Sequence, residues 1–307
     1  MEKLSLVVPV YNEEKCLRVF YERVEKVLEG IDLDYEIIFV NDGSKDNSLE
    51  ELLRLRDLDP RVKIIDLSRN FGKEAALTAG LDYSSGDIVI PIDADLQDPP
   101  EVIPEMILKW REGYDVVYAT RIERDGESWL KRLTAYLFYR VAGRIMPIAI
   151  PRDTGDFRLM TRRVVEVLKT MRESNRFMKG LFAWVGFPST AVYYRRERRC
   201  AGKTKWNYWK LWNFALEGIT SFSYLPLQVS TYLGFIVAVL AFLYAVVIVA
   251  KTLLLGRTVP GYASIMTVML FMGGVQLMCI GVLGEYVGRI YHEVKRRPLY
   301  VVRQFLG

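Results

Sequence analysis

The stretch Ile88-Val-Ile-Pro-Ile-Asp-Ala-Asp-Leu-Gln-Asp-Pro-Pro100 decides how the chain is read. Its first five residues form an apolar run of strand length, and Pro99 or Pro100 suits the first turn of a following helix. A continuous Val/Ile strand, without polar alternation, is buried on both faces and so belongs to a parallel sheet covered by helices. Ligands bind such sheets at the carboxyl ends of the strands. Asp93 and Asp95 fall at that end.

The pattern repeats on both sides. Leu4 to Val10 is a valine-rich run ended by Pro9-Val-Tyr-Asn12, followed by an amphipathic stretch from Glu14 to Leu28. Tyr35 to Val40 reads as a second strand, ending in Asn41-Asp-Gly-Ser44 before a helix from about Ser48 to Leu55. Val62 to Leu67 and Val116 to Ala119 read as further strands. The expected fold is an α/β, Rossmann-like domain with a mostly parallel sheet.

Beyond about residue 215 the pattern changes. No Asp, Glu, Lys or Arg occurs from Gly218 to Ala250 or from Thr258 to Gly284, and each run exceeds the ~20 residues that cross a bilayer as a helix. Two transmembrane helices are expected, near Val229 to Leu254 and Ser264 to Tyr286; the alternative is a pair of core helices in a soluble domain. With 307 residues, 51% hydrophobic and 26% charged, the chain is neither wholly disordered nor wholly membrane-embedded. The expected organisation is a catalytic domain over 1–204, a juxtamembrane region over 205–228, the two-helix region over 229–288 and a basic tail over 289–307. Arg289, Lys295, Arg296, Arg297 and Arg303 outnumber Lys251 and Arg257 of the short connection, which orients the domain and both termini to the cytoplasmic side of a plasma-membrane, multi-pass protein. Met1 to Tyr11 lacks the cationic leader of a signal peptide. Cys16, Cys200 and Cys279 fit neither a disulfide framework nor a zinc site.

The net charge of +5 is concentrated in Arg195, Arg196, Arg198, Arg199, Lys203, Lys205 and Lys210. That cluster reads either as a collar on anionic lipid or as a phosphate site; nucleic acid is not an expected partner. No GxGxxG occurs, and Gly202-Lys-Thr204 fails as a P-loop because Glu197 holds the upstream glycine position. What remains is Asp93, Asp95 and Gln97, hard oxygen ligands suited to Mg2+ or Mn2+ carrying a diphosphate, or else aspartates flanking a turn. Asp42 stands where it would accept hydrogen bonds from a base or ribose, or cap a helix. Pro9, Tyr11 and Glu13 would form the adjacent wall.

Taken together, Val8-Pro-Val-Tyr-Asn-Glu13, Val40-Asn-Asp-Gly-Ser44, Asn70-Phe-Gly-Lys73, Asp93-Ala-Asp-Leu-Gln-Asp-Pro99, Gly155-Asp-Phe-Arg158 and Gly202-Lys-Thr-Lys205 resemble the inverting GT-A glycosyltransferases of family 2. More narrowly, the chain is similar to dolichol-phosphate mannose synthases and, by its two C-terminal helices, to the bacterial bactoprenol glucosyltransferases. Processive synthases of the family carry a Gln-x-x-Arg-Trp signature, and no Arg-Trp pair occurs here.

The resemblance implies a nucleoside site at Pro9, Tyr11, Glu13, Val40 and Asp42, and diphosphate and metal positions at Asp93, Ala94, Asp95 and Gln97. It implies a donor contact at Arg121, a phosphate-closing pair at Arg199 and Lys205, and a candidate catalytic base at Asp156. Lys73, in a family motif, is implied among the donor-binding residues, and Lys203 stands where a small or polar residue is expected. The implied reaction is transfer of a hexose, glucose from UDP-glucose, to a polyprenyl phosphate. The alternatives are GDP-mannose or a modified UDP-sugar as donor and, from another class, a non-catalytic membrane scaffold. A homo-oligomer is expected, with a tetramer first among the relatives.

Two amphipathic stretches are candidate membrane-surface helices: Trp206, Trp209, Trp212, Leu216 and Ile219, and Lys131 to Arg144 with Tyr136, Phe138 and Tyr139. The alternative for both is packing on the domain.

Overall fold

The computed structural model describes residues 2–122, 154–174, 176, 178–197, 200, 225–255 and 261–307. Both amphipathic stretches proposed for the membrane surface lie outside these residues. Two units are present, one of residues 1–218 with 297–307, the other of residues 219–296.

The first unit is built on one eight-stranded sheet. Its strands are β1 (Lys3–Val10), β2 (Asp34–Asn41), β3 (Val62–Leu67), β4 (Ile88–Pro91), β5 (Val116–Arg121), β6 (Thr154–Thr161), β7 (Ser189–Tyr194) and β8 (Val302–Leu306), in the order β7-β5-β6-β4-β1-β2-β3-β8. β4, β1, β2 and β3 are parallel neighbours, as are β5 and β7, whereas β6 runs against β4 and β5, and β8 runs against β3. The expected strands form, and the parallel character holds for six of the eight. Helices α1 (Glu14–Leu28), α2 (Ser48–Leu58), α3 (Lys73–Tyr83) and α4 (Ile103–Arg111) connect the parallel strands; α5 (Arg162–Thr170) and α6 (Met178–Trp184) follow β6.

The core explains the sequence. Leu4, Leu6, Val8 and Val10 of β1 pack with Phe39 of β2, Ile90 of β4 and the α1 face of Leu17, Phe20, Tyr21, Val24 and Leu28, all buried. Ile38, Val40, Ile65 and Leu67 line the opposite sheet face with Ala76 and Ala79 of α3. Both faces are covered, so the strands read as unbroken Val/Ile runs. Order reverses between β1 and β4, and the polar loops gather at that switch point.

Residues 289–307 do not form a free tail. From residue 297 the chain belongs again to the first unit, and β8 pairs Ile64 with Leu306 and Asp66 with Gln304. Tyr300 Oη donates to Asp82 Oδ2 at 2.6 Å, and Arg303 Nη1 lies 3.3 Å from Asp66 Oδ2. A five-residue edge strand with three exposed side chains leaves no burial period for sequence reading to detect.

The second unit contains α7 (Leu225–Leu255) and α8 (Tyr262–Val294). Leu227–Lys251 and Ser264–Val294 are long and apolar enough to cross a membrane, with mean hydropathies of 2.9 and 2.0. Both are almost wholly exposed along these spans, unlike the core helices of a soluble domain.

Candidate active site

The reversed strand β6 completes the switch point. Ile88 pairs with Thr161 and Val89 with Met160; carried five residues further along both chains, that register brings Asp156 to Asp93. Lys73, the first residue of α3, joins them. Its Nζ lies 2.7 Å from Asp93 Oδ1, 2.8 Å from Asp93 Oδ2 and 2.7 Å from Asp156 Oδ2. Burial opposes the ammonium, yet Asp156 and Asp93 hold it above the ordinary lysine range. The Lys73 and Asp93 side chains remain 42% and 35% exposed, so a ligand can reach them.

The loop after β4 is tightly wound. Leu96 adopts φ 59°, a left-handed conformation uncommon for a bulky side chain, and Gln97 N donates to Asp95 Oδ1 at 3.0 Å. The segment after β7 runs along this loop: Glu197 N donates to the Gln97 carbonyl and Cys200 N to the Asp95 carbonyl, both at 3.1 Å, and Arg196 donates to Gln97 Oε1. Arg23 of α1 fixes the arrangement by bonding Glu101 and Glu197 at 2.6 to 2.8 Å. Cys16 and Cys200 are free thiols, and burial, with the charge of neighbouring groups, pushes Cys16 up to about 12. Arg199, Lys203 and Lys205 lie outside the described residues.

Among the described residues, no group of three or more His, Cys, Asp or Glu side chains is placed to hold an ion. The donor set still fits a divalent cation. Both Asp93 oxygens already converge on one positive charge, and Mg2+ or Mn2+ commonly binds through one or two carboxylates with phosphate oxygens completing the shell.

On the nucleoside side, Pro9 and Val40 are direct partners across β1 and β2. The Val40 and Ala94 side chains are core packing, and the Val40 backbone lies in a strand paired on both sides. Tyr11 and Glu13 are half-buried at the entry to α1, where Glu13 N donates to Ser48 Oγ at 2.9 Å. Asp42 is buried and engaged: its carboxylate accepts from Phe71 N at 2.7 Å, Asn70 Nδ2 at 2.9 Å and Gly72 N at 3.0 Å. Burial nevertheless pushes its carboxyl above the usual range. Asp42 therefore anchors the loop that delivers Lys73. Gly43 permits this approach, since at φ 62° a Cβ would stand 2.5 Å from Arg69 C and Asn70 N.

Arg121 is held on the other side. Its Nε donates to Tyr194 Oη at 3.0 Å and its Nη2 lies 3.4 Å from Asp98 Oδ1, while Tyr194 also donates to Asp98. Burial opposes the guanidinium, but Asp98 and Tyr194 raise it above the ordinary arginine range. Sequence reading did not single out Asp98 or Tyr194. Asp98 stood inside the acidic motif, whereas Tyr194 is an ordinary strand-end aromatic. Arg158 braces the strand beside Asp156, donating from Nη2 to the Gly155 carbonyl at 2.7 Å with its guanidinium 3.9 Å from the Phe182 ring centre.

Residues 5–169 match the family described as Glycosyl transferase family 2, and residues 225–290 match the GtrB C-terminal hairpin. An uncharacterized glycosyltransferase of Synechocystis sp. is 58% identical over 99% of this chain and 96% of its own. A prophage-derived bactoprenol glucosyl transferase of Shigella flexneri is 53% identical over 98% of each chain. Among solved structures, mannosyl-3-phosphoglycerate synthase from Rubrobacter xylanophilus aligns over 71% of this chain and 72% of its own, with 18% identity and a TM-score of 0.49.

Proposed function

The chain belongs to glycosyl transferase family 2, and from that membership we propose that it transfers glucose from UDP-glucose to a polyprenyl phosphate at the cytoplasmic face of a membrane, inverting the anomeric carbon. The observation that carries the reading is the meeting of Asp93, Lys73 and Asp156 at the switch point of a chain that also has a GtrB-type hairpin. The bactoprenol glucosyl transferase relatives supply the sugar and the lipid.

Transfer leaves negative charge on the departing diphosphate, and catalysis consists of stabilising that charge where it develops. Asp93, Asp95 and Gln97 would hold Mg2+ or Mn2+, whose chemistry is to polarise the diphosphate oxygens. Lys73 supplies a fixed positive charge beside them. Arg121, held by Asp98 and Tyr194, offers a guanidinium set in place before the substrate arrives. Arg199 and Lys205 are proposed to close on phosphate. Polyprenyl phosphate is already ionised near neutral pH, since its second pKa is about 6, and needs orientation more than deprotonation. Asp156, ion-paired with Lys73, is assigned to that orientation.

Chain connectivity supports the topology. β3 precedes the hairpin and β8 follows it, and the two are paired in one sheet, so the chain leaves and rejoins the same unit. An even number of crossings, with both flanks on one side, accords with that. The excess of basic residues on those flanks supports the cytoplasm as that side.

The test is UDP release from UDP-glucose by the purified full chain. Release should need both polyprenyl phosphate and Mg2+ or Mn2+. Release indifferent to the lipid, or a preference for GDP-mannose in a donor panel, would replace this reading.

A further inference from the structure

Resting on the donor reading above, we infer that Lys73 is a resident counter-ion that keeps Asp93 from binding free divalent metal, so that the cation is accepted only together with a nucleoside diphosphate. The inference deepens that reading by assigning Lys73 control over the order in which the site is filled.

Lys73 Nζ contacts both oxygens of Asp93 while also contacting Asp156 Oδ2, all within 2.8 Å. An ion approaching the Asp93 carboxylate meets a unit positive charge already seated on both of its oxygens. Like charges a few ångströms apart repel strongly wherever water is partly excluded. Lys73 is not readily displaced, because its backbone begins α3 and the preceding loop is tied to buried Asp42 through Asn70, Phe71 and Gly72.

The second observation is independent of Lys73. Asp95, the nearest other acid of the loop, has Oδ1 engaged by Gln97 N, and Gln97 Oε1 is engaged by Arg196. Free metal therefore meets an Asp93 carboxylate whose two oxygens are already paired with Lys73, and an Asp95 Oδ1 and a Gln97 Oε1 that are already bonded. A nucleoside diphosphate changes the balance, since its phosphate charges can satisfy both Lys73 and the incoming cation. Hard cations of this kind bind through few protein carboxylates when phosphate oxygens complete their shell. In this arrangement Lys73 passes from pairing with two carboxylates to serving one carboxylate and the diphosphate.

The experiment is a Mn2+ titration of the detergent-solubilised full chain, followed by the paramagnetic resonance signal of free Mn2+, with and without UDP. For the unmodified protein, UDP should tighten Mn2+ binding by about tenfold or more. Lys73→Met should bind Mn2+ without UDP about tenfold more tightly than the unmodified chain, and Lys73→Met/Asp93→Asn should lose that gain. Thermal unfolding of each variant establishes that it is folded, a protein-free Mn2+ and UDP titration is subtracted, and Lys73→Gln replaces Lys73→Met if that variant fails to fold. Equal Mn2+ affinity with and without UDP overturns the role of Lys73 and leaves the metal assignment standing. An unchanged affinity in folded Lys73→Met does the same. Failure to bind Mn2+ under every condition overturns the metal assignment together with the inference.

Discussion

Two clusters of charge sit at opposite edges of the parallel sheet, one where strands begin and one where they end. At the amino end, Glu36 of β2 is buried, with Lys63 Nζ at 2.8 Å, Lys3 Nζ at 3.0 Å and Ser5 Oγ at 2.6 Å, and it accepts from the backbone and hydroxyl of Ser85 as well. At the carboxyl end, Lys73 serves Asp93 and Asp156. One carboxylate with two ammonium groups is over-satisfied, and it is closed to solvent. Two carboxylates sharing one ammonium retain net negative charge, and that cluster is open. The amino-end cluster ties strands together. The carboxyl-end cluster can admit further positive charge when phosphate oxygens accompany it, as expected of a site for a cation and its phosphate.

The sharpest way to break this contrast is to neutralise the open end. Asp93→Asn and Asp95→Asn should each lower turnover by about a thousandfold or more, because several kcal/mol of charge stabilisation are lost at the diphosphate. Asp93 is a third exposed and ties no strands together, so unfolding temperature should change little for Asp93→Asn. UDP release and a thermal melt measure the two quantities. Near-normal turnover in Asp93→Asn would make the open cluster as purely structural as the closed one.

The closed end should respond in the opposite sense. Burial opposes the Glu36 carboxylate, but Lys63, Ser5, Ser85 and Lys3 more than offset it and hold it at about 2. An acid whose pKa is depressed on folding contributes stability above its unfolded value, and this stability is lost as the pH falls towards the folded value. Glu36→Gln should therefore destabilise the domain by about 3 kcal/mol at pH 7, and its difference from the unmodified chain should shrink as the pH falls from about 4.5 to about 2. Denaturant melts across that range test the sign. Turnover per folded molecule should be unchanged.

Asp156 tests what the open cluster does with its second carboxylate. Family position makes Asp156 a candidate base, but the contact of its Oδ2 with Lys73 favours orientation of a phosphate acceptor that is already ionised. Asp156→Asn should lose about a hundredfold in turnover, and its ratio to the unmodified enzyme should stay level from about pH 6 to 8. Recovery of the variant as the pH rises would restore the base role.

The legibility of these regions differs for a physical reason. Hydrophobic patterning along a chain reports burial, so β1 to β5 and the two uncharged spans could be read from it, and Asp93 and Asp95 followed as acids at a strand end. Lateral pairing leaves no such trace. That Asp156 faces Asp93 depends on the reversed register of β6, a strand broken up by glycine, aspartate and arginine. Lys73 was visible as a motif residue, but its bond to both acids was not. Tyr194 and Asp98 came together from β7 and the loop after β4, 96 residues apart.

The least expected strand gives the smallest predicted effect. β8 reaches the site only indirectly, since Arg303 pairs with Asp66, Asp66 accepts from Asn41 Nδ2 at 2.7 Å, and Asn41 Oδ1 accepts from Ser44 N beside Asp42. That chain of contacts would make Arg303 important only if Asp66 depended on it. The Asn41 bond is short and buried, whereas the Arg303 side chain is 58% exposed and 3.3 Å away. Exposed pairs of this kind contribute about 0 to 1 kcal/mol, less in salt, and Asp66 keeps its buried partner when arginine is removed. Arg303→Ala should thus lower the unfolding temperature by no more than about 4 °C and leave turnover unchanged. A loss of activity without a matching loss of stability would show that β8 positions the Asn41-Asp42 turn, and the contrast between closed and open ends would then extend to the sheet edge.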